Sequence, residues 1–262
     1  MTDSVVWSLT GGVARITLNR PERGNAINLD LATGFRRAVR GVLGGAGVRA
    51  VLLVGAGGAF CVGGDLTEFA AAQDPSAHIA ELAGIMHEAI VDLVRAPVPV
   101  ISGVHGAVAG AGVGLALSAD LVVAASDARF RTAYTGVGLS PDCGVSWVLA
   151  RTLGHVVALD MALTNRTLDA TEAERRGLVS RVVAPQELEG TLTELAGALA
   201  SGPAQALAAT KRLIREAGRT DLEAHLADEA AAIAAAAAGP DAREGIRAFL
   251  EKRPPRYPSA SQ

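Results

Sequence analysis

Val98-Pro-Val-Ile-Ser-Gly-Val-His-Gly-Ala-Val-Ala-Gly-Ala-Gly-Val-Gly-Leu-Ala-Leu-Ser-Ala-Asp120 is the stretch around which the remaining sequence falls into order. Residues 98–104 form a short apolar run, too short for most helices and suited to a buried strand. Gly106, Gly110, Gly112 and Gly114 follow closely, where the backbone turns tightly and can itself be approached. Residues 115–119 resume apolar, as the first turns of a helix do. A strand that feeds a Gly-rich turn and then a helix presents free backbone N–H groups at the positive end of the helix dipole. That arrangement binds a phosphate or stabilises an oxyanion.

Competing readings of this stretch fail on its own residues. Residues 96–119 carry no formal charge and reach the ~20 residues that a membrane span needs. Pro97, Pro99 and the glycines interrupt them, however, and no second span accompanies them, so no membrane is expected as partner. The dinucleotide fingerprint G-x-G-x-x-G fits at Gly110 and Gly112 but meets Leu115 at its third position; Gly55 and Gly57 fail likewise at Phe60. No phosphate loop of the G-x-x-x-x-G-K-[ST] type is present.

The chain has 262 residues, enough to bury a large core. Hydrophobic residues make up 50% but aromatic ones only 3%, so that core is built from Ala, Val, Leu and Ile. A net charge of −3 gives no electrostatic reason to expect nucleic acid. Cys61 and Cys143 lie far apart in sequence and read as reduced thiols of a cytoplasmic protein. The opening Met-Thr-Asp-Ser has neither the basic nor the apolar region of a secretory signal. No His or Cys spacing suits a metal, and none is expected.

Residues 5–7 and 13–18 read as a hairpin across Thr10-Gly11-Gly12. Asp30 is placed as the cap of a helix running to about Arg40. Residues 50–55 are a strand buried on both faces, leading into a second glycine turn and a helix starting near Asp65. Residues 78–95 are helical, with Ile79, Leu82, Met86, Ile90 and Leu93 on one stripe. After the central stretch, short strands are expected at 121–125, 128–132 and 180–183. Helices are expected at 145–153, 155–164, 170–177 and 187–200, with only helical patterns beyond. The tail from Lys252 through the prolines is expected to fray. Strands alternating with helices up to about residue 185 predict an α/β core, residues 1–200, with a helical segment after it, residues 201–262.

The two glycine units together resemble the enoyl-CoA hydratase/isomerase (crotonase) superfamily. Phe60-Cys-Val-Gly-Gly-Asp-Leu66 is similar to its first signature and Ala107-Val-Ala-Gly-Ala-Gly112 to its second, in the expected order. The likeness extends from Leu18-Asn-Arg-Pro21 to Phe249-Leu-Glu-Lys-Arg253. It implies a crotonase-like spiral of ββα turns, followed by a helical segment that assembles trimers or paired trimers. It also implies acyl-CoA thioesters as substrates, with coenzyme A carried by the substrate and no separate cofactor. The thioester oxygen would sit between Gly64 N–H and Ala111 N–H, where each glycine turn enters a helix. The CoA contacts implied are the backbone near Asn25, Ala26, Cys61 and Val62, with Leu66 in the channel. Phe249 and Lys252 would reach the nucleotide from a neighbouring subunit.

The acid/base set departs from the hydratases. Hydration uses two carboxylates, and the two family glutamate positions fall on Gly114 and Tyr134. Asp142 remains, at the position of the catalytic aspartate in the phenylacetyl-CoA-pathway isomerases and the 4-chlorobenzoyl-CoA dehalogenases. Besides an enoyl-CoA hydratase, which the family label allows although both glutamates are absent, three functions stand at this point. The first is an isomerase in which Asp142 shuttles a proton between carbons. The second is an aroyl-CoA enzyme in which Asp142 attacks the ring, helped by His87 and Tyr134. The third is a non-catalytic acyl-CoA binding subunit, in which the Asp142 carboxylate only caps the following helix.

Overall fold

The computed structural model describes residues 3–261. Met1 and Thr2 of the opening stretch lie outside them. The hairpin forms as β1 (Val5–Thr10) and β2 (Val13–Leu18), followed by α1 (Leu29–Gly44), β3 (Ala50–Gly55), α2 (Leu66–Ala71) and α3 (Pro75–Arg95). The central stretch folds as β4 (Val100–Val104), β5 (Ala107–Ala109) and α4 (Ala111–Leu117). Then come β6 (Leu121–Ala125), β7 (Arg129–Arg131), α5 (Val145–Thr164), β8 (Leu168–Asp169), α6 (Ala170–Arg175), β9 (Arg181–Val183) and α7 (Leu188–Ala200). The last three helices are α8 (Ala204–Glu216), α9 (Leu222–Ala237) and α10 (Pro240–Leu250). Among the described residues, no helix is long and apolar enough to cross a membrane.

A six-stranded sheet runs β1-β2-β3-β4-β6-β9, parallel except for the first hairpin, and a three-stranded sheet runs β5-β7-β8. After the first hairpin, whose two strands both lie in the large sheet, successive turns of the chain give one strand to the large sheet and the next to the small one. β4 is followed by β5 and α4, and β6 by β7 and α5. The turn after β3 does the same with a single residue, Cys61, which bridges Val108 in parallel. This is a spiral of ββα turns. The main core lies between sheets and helices, around Phe35, Phe60, Leu93, Leu115 and Phe130; Leu188, Leu192 and Ala196 of α7 cover the other face of the large sheet.

Several local expectations are corrected. The cap of α1 is Asn28, not Asp30: its extended backbone lets its side chain accept from Leu31 N–H at 2.9 Å, while Asp30 already sits inside the first turn. β5 was hidden in the glycine turn because three residues show no periodicity. The helices expected at 145–153 and 155–164 do form, as the two parts of α5, separated at Gly154, whose φ of 73° and ψ of 161° are non-helical.

The tail does not fray. Arg253 bonds the Glu244 carboxylate at 2.6 and 3.1 Å, and Ser259 N–H bonds Asp241 at 3.0 Å. Both acids are nearly buried on α10, and the arginines draw the Glu244 carboxyl far below the usual range. Proline-rich composition could not show that two partly buried carboxylates needed these donors.

Candidate active site

The two glycine turns lie against each other. A Cβ on Gly63 would come within 3.0 Å of the Ala109 carbonyl oxygen, and one on Gly110 within 3.4 Å of Gly63 Cα. Gly110 also holds φ 52° and ψ −129°, a conformation open to glycine alone. The bridges at Ile27–Gly64 and Cys61–Val108 fix the relative height of the turns. Among the described residues, neither Gly64 N–H nor Ala111 N–H has an acceptor in the chain, and both residues line one cavity of about 280 Å³.

The rest of that cavity is mostly apolar, walled by Val62, Leu66, Phe69, Ile79, Leu82 and Leu139 among others, with Thr132 and Ser140 also in its lining. Its titratable lining, among the described residues, is Asp142 and Tyr134. The Tyr134 hydroxyl donates to Asp142 Oδ1 at 2.6 Å. Burial, then the negative charge of Asp142, push the Tyr134 phenol far above its ordinary value. It therefore stays a proton donor in that bond. The same two causes push up the thiol of Cys143, which is buried just behind the wall.

The loop that carries both groups runs from β7 to α5 and is bracketed by Ala133 and Cys143, whose φ angles of 61° and 49° lie in the left-handed region. Such conformations cost an L-residue about 1–2 kcal/mol and persist where surrounding contacts hold them. The Asp142 carboxylate caps no helix. Gly144 is the N-cap of α5, and Asp142 offers only its main-chain carbonyl there, to Val145 N–H at 3.0 Å.

The family model for enoyl-CoA hydratase/isomerase matches residues 8–260. The chain belongs to the enoyl-CoA hydratase/isomerase family. It is 39% identical to a protein named "Probable enoyl-CoA hydratase" from Rhodobacter capsulatus, over 97% of each chain. It is 36% identical to 1,2-epoxyphenylacetyl-CoA isomerase of Escherichia coli, over 98% of this chain and 99% of that one. Its fold matches the crystal structure of an enoyl-CoA hydratase from Polaromonas with a TM-score of 0.91 at 35% identity, covering 97% and 99% of the two chains.

Within this member of the family, the structure brings Gly64, Ala111, Tyr134, Asp142, Val62 and Leu66 to one cavity. It leaves other sequence-predicted residues outside. His87, on α3, is exposed and lines none of it; its Nε2 accepts from Cys143 N–H at 3.0 Å. Asn25 is fully buried and works as a clamp, donating its amide to the Ala56, Ala59 and Phe60 carbonyls at 2.9–3.1 Å and accepting from Arg20 N–H.

Ala26 offers its carbonyl to Arg20, and the Cys61 thiol donates to the Asn25 carbonyl. The main-chain carbonyls of Asn25 and Ala26 thus each accept one donor inside the chain, and a carbonyl oxygen has a second lone pair. Phe249, 82% exposed on α10, and Lys252 also lie away from the cavity of their own chain.

His87, Asp142 and Cys143 hold ligating atoms within 4.8 Å of one another. His87 Nε2 accepts from Cys143 N–H, and burial with the charge of Asp142 pushes the Cys143 thiol up.

Sequence reasoning missed Phe69, whose ring lies against Gly64 and would meet a Cβ there at 2.6 Å. A lone aromatic on a short helix carries no signal of its own.

Proposed function

We propose that the protein is an acyl-CoA double-bond isomerase. Asp142 takes a proton α or γ to the thioester, Gly64 N–H and Ala111 N–H hold the enolate oxygen, and Asp142 returns the proton at the other end of the allylic system. One observation carries this reading. A single carboxyl group shares an apolar cavity with two unpaired backbone donors. A proton shift needs one group that takes and gives back the same proton, whereas water addition by the two-glutamate route needs a second to activate water. Loss of one oxyanion donor costs about 3 kcal/mol in other enzymes, so this pair supplies a large share of the barrier reduction. Tyr134 steadies the carboxylate through its short hydrogen bond. The name of the Escherichia coli relative, 1,2-epoxyphenylacetyl-CoA isomerase, supports isomerisation of a CoA thioester as the class of reaction.

The aroyl-CoA reading asks His87 to attend an aryl ring, and His87 is not on the cavity wall. The binding-only reading asks for a carboxylate engaged in capping, which Asp142 is not. In the proposed enzyme CoA enters with the substrate, passing Val62 and Leu66. Phe249 and Lys252 serve a neighbouring subunit of a cytoplasmic homotrimer or hexamer.

The test is turnover of a 3-enoyl-CoA to the conjugated 2-enoyl-CoA. Asp142→Asn is expected to lower kcat by about 10²–10⁴-fold, the usual worth of a positioned acid/base group. Full rate in that variant, or hydration of 2-enoyl-CoA as fast as isomerisation, would refute the proposal.

A further inference from the structure

The Cys143 peptide is held from two sides by groups outside the cavity wall. On one side, Gly114 of α4 is buried, and a Cβ there would press into the Cys143 carbonyl group, 2.9 Å from its carbon and 2.9 Å from the Cys143 Cβ. Backbone cannot yield as a flexible side chain can, so residue 114 has no room for any side chain while Cys143 stays where it is. On the other side, the His87 imidazole accepts the Cys143 N–H at 3.0 Å. Between them Cys143 holds a φ of 49°, which an L-residue keeps only when its neighbours impose it. Asp142 is the preceding residue, and its carboxylate reaches Tyr134 and the cavity from the peptide whose N–H His87 holds, next to the one that packs on Gly114.

We infer that Gly114 and His87 are a paired seat for the Cys143 peptide and act as positioning residues for Asp142. Gly114 makes space for the carbonyl and His87 fixes the N–H, so the carboxylate is presented at one depth in the cavity. The same packing leaves no side-chain acid or base at position 114, so the seat and the single-carboxylate chemistry are one arrangement. This deepens the isomerase reading and rests on it.

Four variants test it with a 3-enoyl-CoA: Gly114→Ala, His87→Leu, His87→Gln and Asp142→Asn. Gly114→Ala and His87→Leu are expected to lose about a hundredfold in kcat, the loss that a misplaced catalytic group brings. KM should stay within about twofold, because thioester binding is untouched. His87→Gln keeps an oxygen that can accept the Cys143 N–H and should recover most of the rate. Combined with Asp142→Asn, neither Gly114→Ala nor His87→Leu should add a further loss, since both act through Asp142. Wild-type rate in His87→Leu, or losses that multiply with Asp142→Asn, would overturn the inference.

A crystal structure of Gly114→Ala supplies a readout that needs no activity. The Cys143 carbonyl should be displaced and the Tyr134–Asp142 hydrogen bond broken; a bond still at 2.6 Å would overturn the seat. Should Gly114→Ala not fold, His87→Leu, altered at an exposed position, takes both measurements. If wild-type protein fails to convert 3-enoyl-CoA, the isomerase reading falls, and the crystallographic comparison alone decides the seat.

Discussion

Cys61 shows how one residue serves both sheet and site. Its backbone bridges Val108, its thiol donates to the Asn25 carbonyl at 3.2 Å, and its side chain is fully buried. Burial pushes the thiol from the ordinary 9.0 up to about 12, against a smaller lowering by a backbone hydrogen bond at Gly63. A raised folded-state value gives stability that is fully present below 9.0 and lost as pH rises through about 12. Denaturant melts across that window should therefore show stability falling with pH, and Cys61→Ala should flatten the fall. An equally steep fall in Cys61→Ala would refute this. Iodoacetamide should leave both thiols unmodified in the native protein near neutral pH, because the thiolate is the reactive form.

At the scale of elements, the site is made by the approach of two turns. Gly112 of α4 packs on the Cys61 backbone, where an added Cβ would lie 3.0 Å from the Cys61 carbonyl carbon and 2.9 Å from its Cβ. Gly112→Ala should separate the turns and cost about 1–3 kcal/mol as overpacking, read as a lower denaturation midpoint together with reduced turnover. Unchanged stability would show that the turns can part freely.

Asp65 caps α2 through Thr67 N–H at 3.2 Å and pairs with Arg20 at 3.1 Å. Burial alone would raise its carboxyl, but Arg20 and the helix N–H groups hold it below the usual value. This joins the loop before α1 to the first glycine turn. The paired turns were legible in the sequence because glycines, signature order and flanking apolar runs all agree. The loop that presents Asp142 was legible only as a loop.

Across the whole molecule, the helices after Ala200 dock through charge as well as through small residues. Lys211 of α8 reaches Asp120 at 2.8 Å and the Leu93 and Val98 carbonyls at 3.2 and 3.0 Å, while Arg215 adds a 2.8 Å bond to the same carboxylate. Burial lowers the Lys211 ammonium from its ordinary value although Asp120 opposes this. Farther out, Ile214, Leu222, Ile233, Ile246, Phe249 and Leu250 are each more than 60% exposed in the single chain, apolar side chains that the proposed trimer or hexamer would cover. Truncation after Ala200 removes both cationic partners of Asp120 and these side chains. It should give a monomeric or aggregating protein with lost CoA affinity, checked by light scattering and CoA titration. A truncated chain that remained trimeric and bound CoA normally would refute the proposed role of the segment.

The sequence by itself determined the α/β class, the two glycine turns and the helical end segment, because each is a local pattern of residue type and spacing; Asp142 stood out only through the family resemblance. Only the tertiary structure decided that His87 supports a peptide from outside the cavity, that Asn25 is a buried clamp, that the tail is tied to α10, and that Gly114 faces the Cys143 backbone. Those facts depend on which segments meet across the fold. Spacing along one chain carries no record of the distance between two packed elements, and the depth of a carboxylate in a cavity is set by that distance.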